Sequence, residues 1–162
     1  MKKIIGIIVC CCACSMLFLS CNKKDEAYSK DISGYVFKMN DVKVQFHSKE
    51  SGKDNSYNVT VSTDYGSTAT AERATASAYW DWNSSKQASL QLNFEIGNKE
   101  THKFQRENYN LTLTFDGESA GKAVGKDSYT RVWRNWSTPQ YDASTDVLYG
   151  NETVDAQFTL TK

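Results

Sequence analysis

From Tyr35 onward, apolar side chains recur at every second position, the spacing of strands that bury one face. Tyr35, Phe37 and Met39 make one such set, followed by Val42, Val44 and Phe46, by Tyr57, Val59 and Val61, and by Ala76, Ala78, Trp80 and Trp82. Leu90, Leu92, Phe94 and Ile96 come next, then Tyr109, Leu111, Leu113 and Phe115, and finally Val154, Ala156, Phe158 and Leu160. A slip of one residue would turn a whole set outward, so parity carries register information. A two-residue turn at Asn40-Asp41 places Met39 opposite Val42, Phe37 opposite Val44 and Tyr35 opposite Phe46, all on one face. A second turn at Ser51-Gly52 places Glu50 opposite Lys53, Lys49 opposite Asp54, Phe46 opposite Tyr57, Val44 opposite Val59 and Val42 opposite Val61. Opposite charges then meet at the tip and apolar residues below it, which predicts a three-stranded meander.

A loop at Ser84-Ser85-Lys86 sets Trp80 against Leu90, Ala78 against Leu92 and Ala76 against Phe94, small residues facing large ones. The dipeptide Gly150-Asn151 reads as a turn that pairs Val147 with Val154 and Tyr149 with Glu152, a last hairpin. The Ala/Ser/Thr-rich stretch 67–75 suits a loop, a short helix or an irregular strand entry, and residues 97–108 carry no clear period beyond a short strand suggested by Phe104. Pro139 is the only proline, and no 3.6-residue apolar period is sustained. The expectation is an all-β, antiparallel, hairpin-rich domain of about eight to ten strands, with a calycin-like up-and-down barrel favoured over a two-sheet sandwich.

The first 20 residues differ in kind. Met1-Lys2-Lys3 is basic, Ile4 to Leu19 is an apolar run, and Ser20 is a small residue before Cys21. The run is shorter than the roughly 20 apolar residues of a spanning helix and fits a signal-peptide core. Phe18-Leu19-Ser20-Cys21 resembles the lipobox of bacterial lipoproteins, with Phe18 where Leu is usual. The resemblance implies cleavage before Cys21 and lipid on its sulfur. The following Asn22-Lys23-Lys24-Asp25-Glu26 is similar to the surface-export signal of Bacteroidetes-type lipoproteins, which implies an outer-membrane anchor facing the cell exterior. The expected organisation is a signal peptide over 1–20, a lipidated polar tether over 21–31 spanning up to roughly 35 Å when extended, and one β domain over 32–162.

Cleavage removes Lys2 and Lys3 and no acid, changing the balance from 19 basic against 19 acidic residues to 17 against 19. Such a chain lacks the clustered basic face that nucleic acid requires. Cys10, Cys11, Cys12 and Cys14 fall within the signal, leaving Cys21 as the only mature cysteine. Intrachain disulfides, thiolate metal sites and a cysteine nucleophile in the domain are thereby excluded.

The stretch from Gly117 to Asp127 contains two Gly-Lys pairs, but neither has the four-residue spacing and following Ser or Thr of a phosphate loop; it reads as a flexible hairpin loop. His47 and His102 are the only histidines, both expected in water, which leaves little material for a metal site or a nucleophilic triad. Among the acids, Asp81 between Trp80 and Trp82 is the best single candidate for carboxylate chemistry, though an outward aspartate on an amphipathic strand is the simpler reading. Aromatic residues carry more signal. Trp80 and Trp82 suit core filling or the lining of a barrel mouth. On a strand from Tyr129 to Trp136 one face shows Tyr129, Arg131, Trp133 and Asn135 and the other Thr130, Val132, Arg134 and Trp136, so each face carries a tryptophan and an arginine. Aromatics beside arginines suit stacking on a sugar or a protein, and Tyr141 lies just beyond them.

These observations lead to the expectation of a non-enzymatic, surface-exposed lipoprotein that needs no cofactor or metal and binds a glycan or small amphipathic molecule through Trp133, Trp136, Arg131, Arg134, Tyr141, Trp80 and Trp82. The alternatives are docking of a protein partner, as an accessory subunit, adhesin or toxin-neutralising lipoprotein, and, ranked last, a carboxylate-dependent hydrolase.

Overall fold

The computed structural model describes residues 28–98, 103–132 and 147–162. Among them run β1 (Val36–Met39), β2 (Val42–Lys49), β3 (Ser56–Thr63), β4 (Gly66–Ser67), β5 (Arg73–Ser84), β6 (Gln87–Asn98), β7 (Lys103–Phe115), β8 (Ala120–Val132) and β9 (Val147–Thr161). All pairings are antiparallel. Each main strand bonds to its neighbour in sequence, and β1 returns to β9, so eight strands close an up-and-down barrel of the calycin type, with the two-residue β4 added to β3.

Period-two patterning explains which side faces in. Phe37, Val44, Phe46, Trp80, Leu90, Leu92, Leu111, Leu113, Phe158 and Leu160 are all buried, while the alternate positions Lys43, Gln91, Asn93, Asn110, Thr112, Lys122 and Thr159 are exposed. An apolar interior and a polar exterior make a barrel for water; a lipid-spanning barrel has the opposite arrangement. The aromatic rings interlock, with Phe115 edge-on to Phe158 at 5.0 Å and Phe46 edge-on to Trp80 at 5.7 Å. Such pairs add about 0.5–1.5 kcal/mol each beyond the area they bury.

Two of the expected registers are present as read. Met39 faces Val42 and Phe37 faces Val44 across a turn in which Asn40 takes φ 51°, and Trp80 faces Leu90, Ala78 Leu92 and Ala76 Phe94. The meander β1-β2-β3 is present, but its second register differs from expectation by two residues: Phe46 faces Val59 and Val44 faces Val61, with a bulge between Phe46 and Lys49. Glu50 and Lys53 still close a turn around Gly52 and form an ion pair at 2.7 Å. The strand then resumes only at Ser56, because the Asn55 carbonyl accepts the Trp80 amide, fixing this loop to β5. A two-residue slip preserves parity, so the apolar faces are unaffected.

Two further readings are corrected. Gly150-Asn151 is not a turn: β9 runs straight through it, paired with β8. Gly150 lies beneath the Tyr129 ring, which a Cβ there would strike, so the glycine serves a ring and not a reversal. The supposed loop from Gly117 to Asp127 is a short turn followed by most of β8. Gly121 and Gly125 sit inside that strand where a Cβ would collide with the carbonyls of Thr114 and Asn110 on β7, a means of bending a barrel wall sharply. Gly125→Ala is expected to cost about 1–3 kcal/mol of unfolding free energy in a denaturant titration. Gly117→Ala serves as its control, since nothing lies within 4 Å of that position; equal effects of the two would contradict this account.

Candidate functional site

The two ends of the barrel differ. One gathers the β2–β3, β5–β6 and β7–β8 loops and is covered by the incoming chain. There Tyr28 meets Trp82 edge-on at 5.2 Å, the Trp82 indole N–H donates to the Lys30 carbonyl at 2.9 Å, and Ile32 is fully buried. Tyr28, Lys30, Trp82 and Phe115 line a shallow cleft of about 370 Å³ on this covered end. Trp80 stands deeper, 1% exposed, and fills the core. Asp81 accepts a hydrogen bond from the Asn55 side-chain amide at 3.0 Å, and the exposed His47 bonds Thr60 through Nε2 at 2.8 Å. Both roles are structural.

Among the described residues the other end is open, and it is polar. Along β7 the inward positions read Phe115, Leu113 and Leu111, then change to Tyr109, Glu107 and Gln105; along β8 they read Gly121, Ala123 and Gly125, then Asp127, Tyr129 and Arg131. The change falls at the same level on both strands, because Tyr109 pairs with Asp127 and Glu107 with Tyr129. Glu107 is at the centre of the resulting cluster. Its Oε1 accepts from Arg131 Nε at 2.7 Å and from the Gln105 amide at 2.7 Å, and lies 2.6 Å from Arg131 Nη2. Thr63 on β3 donates to Gln105 Oε1 at 2.6 Å and ties the cluster to the opposite wall. Asp127 is farther from the same guanidinium, at 3.6 Å. The side chains of Glu107 and Asp127 are 0% and 5% exposed. Each keeps one buried oxygen without a hydrogen bond, Oε2 of Glu107 and Oδ1 of Asp127.

These carboxylates lie beside a gap in the wall. β1 pairs with β9 only from Phe158 to Thr161, and among the described residues no strand pairs with the earlier part of β9 on that side. A cleft of about 380 Å³ occupies the gap, bounded by the Asn40-Asp41 turn, by β9 from Glu152 to Ala156, and by Tyr109, Asp127 and Arg131. At its rim the Tyr129 hydroxyl donates to Glu152 at 2.7 Å, and the Arg131 guanidinium lies 4.3 Å from the centre of the Tyr129 ring.

Electrostatics follows from this crowding. Burial, together with the neighbouring Glu107 charge, pushes the Asp127 carboxyl up to about 7, despite Arg131. Burial and the same two acids push the Tyr109 phenol far above its usual range, keeping it a neutral donor. Arg131 is held even more firmly protonated by its bonds to Glu107.

Of the residues singled out in the sequence, Trp80 lies in the core, Trp82 at the covered end and Arg131 in the open-end cluster. Cys21, His102, Trp133, Arg134, Trp136 and Tyr141 lie outside the described residues. Glu107, Asp127, Tyr109 and Glu152 were not singled out, although continuing the inward parity of Leu111 back along the chain reaches Tyr109, Glu107 and Gln105. Among the described residues no three His, Cys, Asp or Glu side chains are grouped to hold a metal ion. No protein-family model, curated protein or solved structure matches the chain.

Proposed function

We propose that this chain is a surface-exposed outer-membrane lipoprotein, anchored through lipid on Cys21, whose barrel binds a small ligand at its open end without transforming it. The observation that carries the reading is the open-end cleft itself: a wall gap lined by the buried Asp127, whose Oδ1 has no hydrogen-bond partner. Unsatisfied buried acceptors are costly and are relieved by donors from a ligand. The barrel interior is already filled by Trp80, Phe37, Phe46 and Phe158, and the cleft is lined chiefly by polar side chains, so a hydroxyl-rich glycan fits better than a lipid. Orientation supports the same reading. The described residues start at the covered end, where Lys30 and Ile32 are held, so an anchor attached upstream leaves the opposite, cleft-bearing end free.

An enzymatic role ranks lower because Glu107, the acid nearest Asp127 across the β7–β8 pairing, is wholly enclosed and committed to Arg131 and Gln105 and cannot work with Asp127 across a bond. The edge of β9 that is unpaired among the described residues favours one alternative, docking of an extended segment of another protein. Glycan and lipid arrays probed with the full-length protein, extracted in detergent, test the proposal. Binding to a defined glycan class, weakened about tenfold by Glu152→Ala through loss of a 1.4 kcal/mol contact, is the expected result; flat responses across glycans and lipids would reject it.

A further inference from the structure

We propose that the open-end cleft takes a ligand carrying a protonated primary amine, seated against the Asp127 carboxylate. The inference deepens the reading of this cleft as a binding site and rests on it. Charge at the cleft is unbalanced. Among the described residues, Asp41, Asp127, Glu152 and Asp155 line it against a single cation, Arg131. Asp155 has its own counter-ion in Lys122, at 2.9 Å. Arg131 is committed to Glu107 through Nε and Nη2, at 2.7 and 2.6 Å, and reaches Asp127 only at 3.6 Å.

Asp127 is therefore a buried acid with too little positive charge beside it, and its Oδ1 has no hydrogen-bond partner. A neutral hydroxyl would satisfy the lone pair and leave the charge; an ammonium group satisfies both, with three donors for Asp127, the Glu152 side and the neutral Tyr109 oxygen. An anionic ligand would add to the excess. A guanidinium needs both oxygens of a carboxylate for its planar fork, whereas Asp127 Oδ2 already faces Arg131 and only Oδ1 is without a partner, so the compact ammonium is the better match.

Proton traffic follows from the geometry. Glu107 and Tyr109 face Asp127 from β7, Tyr129 and Arg131 from its own strand, Glu152 from β9, and Asp41 lines the same cleft from the β1–β2 turn. In the empty cleft Asp127 retains a proton up to about pH 7. An incoming ammonium displaces that proton to solvent, so affinity rises as pH rises through this value and levels off above it.

Calorimetric titration of the full-length protein with putrescine, against 1,4-butanediol as its uncharged analogue, tests the charge; glucosamine against N-acetylglucosamine, at pH 7, tests whether the amine belongs to a sugar. At least one amine is expected to bind saturably where its neutral analogue does not. If putrescine binds, its affinity should be about tenfold higher at pH 8 than at pH 6, the change in ionised Asp127 across that interval. Asp127→Asn should abolish the pH dependence and weaken binding at least tenfold. If that variant fails to fold, the carboxyl carbon resonance of Asp127 in the unaltered protein serves instead, and should shift with the amine alone. Neutral analogues binding as tightly as the amines would overturn the inference while leaving the cleft a binding site. No binding by either amine would overturn it whatever the glycan array shows.

Discussion

Replacement of Arg131 by Met lowers the unfolding free energy by about 3 kcal/mol near pH 7.5 in a denaturant titration, toward the low end of the 3–5 kcal/mol typical when one partner of a buried ion pair is removed. The lower figure reflects the partial exposure of Arg131, whose side chain is 26% accessible, while Glu107 is fully enclosed. The loss comes chiefly from a stranded charge: without the guanidinium, Glu107 Oε1 keeps only the Gln105 amide and Oε2 remains without a partner. The double variant Arg131→Met with Glu107→Gln removes that charge and should recover most of the stability. A double variant no more stable than Arg131→Met alone would show that the arginine acts by packing instead.

Asp127 governs the second large effect, a dependence of stability on pH. The unfolded aspartate releases its proton near 3.9, whereas the folded one holds it to about 7. Between these values the folded chain binds a proton that the unfolded chain has lost, so stability falls as pH rises through the window and is flat above it. The penalty at pH 8 is on the order of 2–4 kcal/mol. Asp127→Asn has nothing to ionise. Its advantage over the parent should be absent at pH 4, grow through pH 5 to 7 and then stay constant, as followed by thermal melting at each pH. A difference between the two that does not change with pH would remove Asp127 from this role.

Much of the barrel is legible in the chain because inward residues must alternate and turns must be short. Trp80 opposite Leu90 follows from a tight loop flanked by small residues facing large ones, and both constraints are local. The β2–β3 register is set at a distance, by the Asn55 carbonyl accepting the Trp80 amide, and no window around Ser51 contains Trp80. Gly150 illustrates the same limit: its neighbourhood spells a turn, yet the reason for the glycine is a tyrosine ring on another strand. The open-end cluster was hidden by a rule that ordinarily serves well. Charged residues in strands are assigned to the wet face, and Glu107 and Asp127 are buried acids at positions of inward parity. Arg131 was found for its aromatic neighbours, and the ion pair it makes was not visible without the pairing of β7 with β8.

The shortness of β1 has a mechanical consequence. The ladder from β5 to β9 is one long curled ribbon, held along its full length at every internal joint, while β1 fastens its last edge at four residue pairs only. The molecule is in this sense a scroll with a short clasp. Strain applied at the mouth concentrates on the two short seams, four residue pairs between β1 and β9 and two between β3 and β5, which can part and reclose without disturbing the ring-packed centre beneath. Amide exchange should register this as early opening at Lys38 and Thr159.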